Sequence, residues 1–579
     1  MEEIITNQYG IDFQIERFPI HDRPDMMCTY FICRNCFKYY ICKKTIKNHC
    51  CKPLTEDEIS YETSLKYLMI WLSKKNVTYS SLFDIDFKGF LSCINKKYKI
   101  PTENTLRSHI ISFADEIKQK ILLKVKGNPV SLLIDGVTRS KKKYQGQVIY
   151  TPFQLYFLGL YPCEEETREN IAKIISDTAI CLSDHKCKLI AVCTDNYCAN
   201  ISALDDGPLS AQDLSNQNFI RFPCSCHTIN LAIKDVFDDK FQFIKDTVVF
   251  LISYFNSISN INHNIRNVPQ FKEVRWFSLF YCVGYIISHS QYLCDVYLQY
   301  YNIVQEYFDW CYIYSILQFE EFLIKKLERD CSSLADVFFN FKITLDQLIK
   351  FNNDNPKPSD SNIAQSIIDS LLHRFTTTIQ LQFPILAFFL TGNGLRYLRE
   401  KNLQHFISVD IALNIFTEYE KENKDLEKLV NFFNLFIKYY ELTFLYTVNT
   451  THDSFDFWMK ILHGSEFWIV KPTELLLHKE LQGFEKKFAS VAIEILSIPC
   501  SECAVERVFS HLADLLLNNK RNLSFETLNA LLIIRMNSIF LQQDNQNSHI
   551  FLNNKFVELS KKNYEIDDQQ TEYDPLVNF

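Results

Sequence analysis

Strand-like sequence in this 579-residue chain is concentrated between residues 129 and 223. That concentration constrains the fold more than any other feature. "PVSLLIDGVTRS" is a short apolar run ending in an acid, and "GQVIYTPFQLYFLGLYP" alternates as two further strands would. "CKLIAVCTDN" reads as a buried strand, and "NFIRFPCSC" as a short fifth strand entering a helix. A helix-like segment, "TRENIAKIISDTAICLSDH", separates the third strand from the fourth. Strands followed by a helix and further strands indicate an α/β domain. From 236 to 497 strand signals almost vanish and helical periodicity dominates, as in "LADVFFNFKITLDQLIKF" and "LEKLVNFFNLFIKYYELTFLY". A polar gap at 352–362, "NNDNPKPSDSN", reads as a loop. One small sheet therefore shares the chain with a large helical body, and a chain of this length needs several domains.

Bulk composition narrows the class. Hydrophobic residues make up 47% and aromatic residues 14%, ample for packed cores and against wholesale disorder. The start, "MEEIITNQYG", is acidic and polar, unlike a signal peptide. The longest apolar runs, such as "FPILAFFL", fall far short of the ~20 residues a bilayer demands. These features lead us to expect a soluble intracellular protein that avoids membranes. Twenty cysteines spread over the chain, without an export signal, are expected to be mostly reduced and buried. A net charge of −8 repels phosphate at long range, so any nucleic-acid contact must use local basic patches.

Asp135 ends "SLLID", and Asp195 repeats the arrangement at the end of "KLIAVCTDN". Acids at strand ends are held rigidly by the sheet, where open α/β sheets place their active sites. A single Asp before Gly136 is explained equally well as a turn former. Two such acids in one domain favour a metal site, because phosphoryl-transfer enzymes use carboxylates to hold two Mg²⁺ about 3.5–4 Å apart. Such a site needs a third acid, from a helix beside the sheet.

"IPCSECAVERVFSHLADLL" supplies two candidates on one helix, with Ser501 expected as its N-cap. Glu502, in the first turn, is explained by the helix dipole. Glu506, flanked by Val505, Val508 and Phe509, lies a turn deeper, where a buried acid needs a partner.

"SECAVERVFS" followed by "NNKRNLSFETLNALLIIRMN" resembles the C-terminal signature of hAT-superfamily DNA transposases. There the Glu before Arg is the third acid of a DDE triad, which maps onto Glu506 and Arg507. "LLIDGVT" resembles the segment carrying the first Asp, giving Asp135. "AVCTDNYCAN" resembles the second, giving Asp195 with Asn196 and Asn200. "CSCHTINLAIKD" resembles the family's CxxH segment, giving Cys224 and His227 as support near the site. "EVRWFSLF" resembles the Arg-Trp motif, giving Arg275 and Trp276 as DNA contacts. The resemblance implies an α/β RNase H-like catalytic domain interrupted by a large all-α insertion. It also implies Mg²⁺ or Mn²⁺ on Asp135, Asp195 and Glu506, and cut-and-paste chemistry on double-stranded DNA in the nucleus.

Residues 28–51, with six cysteines, one histidine and five Lys/Arg, resemble a BED-type zinc finger. The expected Zn²⁺ ligands are Cys33, Cys36, His49 and Cys51, with Cys28 or Cys42 as substitutes. A metal-free Cys-rich segment is the competing reading. Lys43 and Lys44 in this module, and Lys141, Lys142 and Lys143 in "RSKKK", are candidate phosphate contacts. "RSKKK" is equally readable as a solvated hairpin. Residues 501–540 resemble the hAT dimerisation region, implying a homodimer or larger homo-oligomer. The same apolar residues would also serve burial within one chain. The expected organisation is a BED-like finger at 1–55 and a helical DNA-binding or dimerisation region at 56–125. RNase H-like parts at 126–235 and 498–542 flank a helical insertion at 236–497, and a flexible tail covers 543–579. The alternatives are a domesticated, non-catalytic regulator derived from such an enzyme and an RNase H-like nuclease without transposition.

Overall fold

The computed structural model describes residues 4–6, 12–20, 23–33, 39–40, 61–75, 79–82, 84–94, 100–139, 142–204, 209–259, 262–272, 277–329, 332–358, 361–379, 382–394, 451–463, 484–518 and 523–538. Cys36, Cys42, Lys43, Lys44, His49, Cys51, Lys141, Arg275, Trp276 and the tail 543–579 lie outside the described residues. The chain divides into two compact units, Met1–Pro101 and Thr102–Phe579.

The first unit contains an antiparallel sheet in the order β1 (Ile4–Thr6), β2 (Asp12–Ile20), β3 (Arg23–Cys33), β4 (Tyr39–Tyr40). Cys28 lies opposite Phe18, and Cys33, the last residue of β3, lies opposite Phe13. Sequence reasoning treats this region only as a cysteine module and misses the hairpin. The alternation in "DFQIERFPI" is broken by Pro19, a residue poorly suited to a strand interior, and a register shift falls at Pro19/Ile20. Helices Tyr61–Lys75, Tyr79–Leu82 and Ile85–Ile94 follow. Leu65, Met69 and Leu72 are buried at helical spacing, and Trp71 stacks on Phe87 at 5.9 Å.

The second unit is mostly helical around a mixed five-stranded sheet, ordered β7-β6-β5-β8-β9. β5 (Pro129–Arg139), β6 (Lys142–Tyr150) and β7 (Leu155–Pro162) form an antiparallel meander. β8 (Lys188–Thr194) and β9 (Ile220–Pro223) run parallel to β5. The crossover between β7 and β8 is the helix Arg168–Asp184. Its N-cap Thr167 accepts the Asn170 N–H. Arg139, at the end of β5, pairs with Lys142, at the start of β6.

C-terminal helices complete this sheet. Ser131 of β5 donates its hydroxyl to the Ser497 carbonyl at 2.7 Å, just after the helix Phe484–Leu496. The helix Phe525–Met536 covers β7, a sheet edge that would otherwise present unpaired backbone groups. Asn529 accepts the Leu160 N–H (2.8 Å) and donates to the Leu160 carbonyl (3.2 Å). Asn537 does the same for Phe157, at 3.1 and 2.9 Å. A bulge assists, because Gln147 pairs with Gly159 whereas Val148 pairs with Phe157. Gly159 takes φ +147°, and a Cβ there would sit 3.1 Å from Asn529 Oδ1. This helix buries Leu528 and Leu531 to Ile534 within the chain.

Between Gln242 and Gly394 the described elements are helices. The helix Ile363–Thr377 packs on the helix Ser225–Asp239 that follows β9, where Arg374 pairs with Asp235 at 2.6 Å. The helix Leu334–Asp354 extends into the expected polar loop, and its N-terminal Leu334 N–H donates to the Ile498 carbonyl. No described helix is long and apolar enough to cross a membrane.

Candidate active site

Register brings the two aspartates together. In the parallel pair β5–β8, Leu133 lies beside Cys193. Asp135 and Asp195 follow two residues later on their respective chains, near enough for the Asp195 charge to act on Asp135. Asp135 Oδ1 accepts the Gly136 N–H at 2.7 Å. Asp195 Oδ1 accepts the Tyr197 N–H at 3.0 Å and Asn200 Nδ2 at 2.6 Å. These donors fix one oxygen of each carboxylate and leave Oδ2 available.

The third acid arrives over β6. Gly146 is paired with Asp135. A Cβ on Gly146 would lie 2.7 Å from Val505 Cγ1 and 3.0 Å from Phe509 Cε1. Only glycine lets the helix Cys503–Asn518 approach so closely. The approach sets Glu506, between those two side chains in sequence, beside the Asp135 strand. Arg507 donates to the Glu328 carbonyl at 2.8 Å.

Electrostatics registers the convergence. Burial and then the Asp195 charge push Asp135 up to about 7. Glu506 is exposed. Desolvation, then Asp135, Glu328 and Asp195, push it up to about 8, against the nearby Arg507. The three acids therefore form one like-charged group. Two further acids act on it: Glu328, and Glu166, which accepts Lys143 at 3.1 Å. Neither was singled out in the sequence, because each lies in a segment with no strand-end or motif signal.

The geometry reverses the relation expected for the two glutamates. Glu506 occupies the first helical turn. Glu502 precedes the helix and is only 2% exposed, so a solvated acid stabilised by the helix dipole does not describe it. Burial raises its carboxyl well above the usual range, followed by the charges of Cys224 and Asp135. Ser501 is likewise diverted from capping: its hydroxyl donates to the Leu327 carbonyl at 3.2 Å. A tertiary contact outcompetes the local one.

Cys224 and His227 lie at the junction between β9 and the helix that follows it. Cys224, the last residue before the helix Ser225–Asp239, accepts the His227 backbone N–H on its sulfur at 3.4 Å. The His227 ring instead feels Asp195, though burial outweighs that charge and lowers its pKa. Asn196 accepts Arg221 at 2.9 Å and donates to Thr228 at 3.3 Å, bracing the β8 end against the same helix. Lys142, at the start of β6, is exposed.

No curated protein matches the chain. Residues 477–538 match the family model for the hAT family C-terminal dimerisation region, which supports hAT-family membership, is consistent with a hAT transposase-related protein, and supports homo-oligomerisation.

Proposed function

We propose that this chain is a DNA transposase of the hAT type, which cuts transposon ends and joins them to a target on an RNase H-like core. The observation that carries the reading is that Asp135, Asp195 and Glu506, from three distant segments, lie near enough for Asp195 to act on Asp135 and for both to act on Glu506, although their carboxylate oxygens do not all lie within 4.8 Å of one another. The order of three antiparallel strands followed by two parallel ones supports the RNase H-like assignment. The match over 477–538 supports the hAT assignment.

The donor set fits hard divalent cations. It offers carboxylate oxygens only, and their mutual repulsion calls for a proton or a cation. Asp135, Asp195 and Glu506 would hold Mg²⁺ or Mn²⁺, which when bound lowers the pKa of an attacking water or hydroxyl and stabilises the leaving oxygen. Asn200 and the Tyr197 N–H orient Asp195, and packing on Gly146 orients Glu506. His227, kept neutral, and Arg507 support the site.

Phosphate would be met by Lys142, with Lys143 tied to Glu166, and by Lys141, Lys43 and Lys44. Trp276 would stack on an unpaired base beside Arg275. Cys33, Cys36, His49 and Cys51 would bind Zn²⁺ in an N-terminal finger. Action on chromosomal DNA implies a nuclear protein working as a homodimer or larger assembly.

The test is Mg²⁺-dependent cleavage by the full chain of duplexes carrying the inverted repeats that flank its coding sequence. Wild type should cut, and Asp195→Ala should lose about 10³-fold or more of the activity. Equal cutting by both would remove Asp195 from the mechanism. Tight binding of the ends by a folded wild type that never cuts would favour the non-catalytic regulator.

A further inference from the structure

Behind the acidic edge lies a second cluster of different chemistry. The sulfur atoms of Cys224, Cys226 and Cys503 all lie within 4.8 Å of one another, and all three residues are buried. We propose that these three thiols form a structural site for a thiophilic divalent cation of the zinc class, with Glu502, which lies against Cys224 but outside that 4.8 Å group, turning in as the fourth donor.

Tetrahedral zinc takes thiolate ligands at ~2.3 Å, which requires sulfurs roughly 3.8 Å apart. The observed cluster needs only small side-chain adjustments to reach that spacing. Isolated buried cysteines, such as Cys282, are accounted for as small apolar residues. This trio is not, because a carboxylate accompanies it. Glu502 is 2% exposed, the Cys224 thiol lies against its carboxyl, and its Oε2 has no hydrogen-bond partner among the described residues. A buried, unpartnered carboxylate oxygen is costly and is relieved by a cation.

The surroundings suit a thiolate. The His227 backbone N–H already points at Cys224 Sγ, the kind of outer hydrogen bond that steadies a metal-bound sulfur. Outside the trio, deprotonating Cys226 forfeits a long contact to the Ile324 carbonyl, 3.9 Å. Cys224 and Cys226 flank the start of the helix after β9, and Cys503 opens the helix carrying Glu506. These segments already touch through the Ser225 N–H and the Cys500 carbonyl at 2.9 Å. A metal here would cross-link two parts of the unit that are far apart in sequence, closing a long loop. It would thereby hold the Glu506 helix to the sheet. The soft donors of this cluster and the hard oxygens at the sheet edge select different cations.

The experiment uses the full chain carrying serine in place of Cys28, Cys33, Cys36, Cys42, Cys50 and Cys51, which silences the N-terminal cysteines. Zinc content is measured by mass spectrometry after extensive dialysis. The folded parent should hold about one equivalent. Cys226→Ser and Cys503→Ser should each lose most of it, Glu502→Gln should weaken retention, and Cys193→Ala, a buried neighbour outside the trio, should keep it. Should the serine variants fold poorly, Co²⁺ loaded into the parent must give the intense near-ultraviolet thiolate-to-cobalt band. A folded parent with no zinc and no such band overturns the proposal. So do Cys226→Ser and Cys503→Ser chains that both retain the parent's full metal content. Neither readout depends on DNA cleavage.

Discussion

Two helices near the C-terminus meet the same sheet in opposite ways. The helix Phe525–Met536, with Asn537 just beyond it, presents two asparagines to β7, and each amide exchanges both hydrogen bonds with one backbone residue. Polar demand there is met in full. The helix Cys503–Asn518 brings Glu506 to two aspartates; the Asp195 charge raises the proton affinity of Asp135, and both aspartates raise that of Glu506. Polar demand there is left open. Satisfied polar groups stabilise a fold. A crowd of like charges destabilises it and persists where something outside the chain completes it.

The comparison can be broken most forcefully at the acids. Asp135→Asn and Glu506→Gln should each reduce end cleavage about 10³-fold or more while leaving the thermal midpoint unchanged or higher, since each removes repulsion. Cleavage assays beside calorimetry would show it, and a marked loss of stability in either would place the acids with the structural groups.

At the satisfied edge the expectation is the reverse. Asn537→Ala leaves the buried Phe157 N–H and carbonyl unpaired, so it should cost about 2–3 kcal/mol in denaturant unfolding. Asn529→Ala should cost somewhat less, because Asn529 is less buried than Asn537.

Gly146→Ala tests the joint between the two regions. Its Cβ would press on Val505 at 2.7 Å, at a cost of about 1–3 kcal/mol. Cleavage should fall as Glu506 moves. Full activity with unchanged stability would show that the helix is not seated by that contact.

The smallest effect is in pH. Asp135 at about 7 and Glu506 at about 8 lie above the ordinary carboxylate range, so the folded state binds more protons than the unfolded one. Their contribution is most favourable below ~4 and is lost as pH rises through those values. In magnesium-free buffer the melting temperature should therefore decline between about pH 5 and pH 8. Mg²⁺ should restore more of it at the alkaline end, and Asp135→Asn should flatten the slope.

Much of this was legible locally. The apolar runs ending at Asp135 and Asp195 read as strands because a short unbroken apolar run suits a strand buried on both faces. The helix carrying Glu506 was legible from apolar residues recurring at spacings of three and four. The hairpin of β2 and β3 was not, because Pro19 interrupts its alternation. Nor was the relation between Glu502 and Glu506, whose exposure depends on which segments pack above them. Ser501 reads as a cap until Leu327, distant in sequence, claims its hydroxyl.

The sequence by itself determined where strands and helices form, which acids sit at strand ends, and that a helix near residue 506 carries another, because propensity and periodicity act over a few residues. Only the tertiary structure decided that Asp135 and Asp195 act on Glu506, that Glu502 is buried against Cys224, and that the apolar helix after Ser524 is used up within the chain. Those outcomes depend on parallel register, on what packs over the bare backbone at Gly146 and on other long-range contacts, which residues near in sequence do not specify.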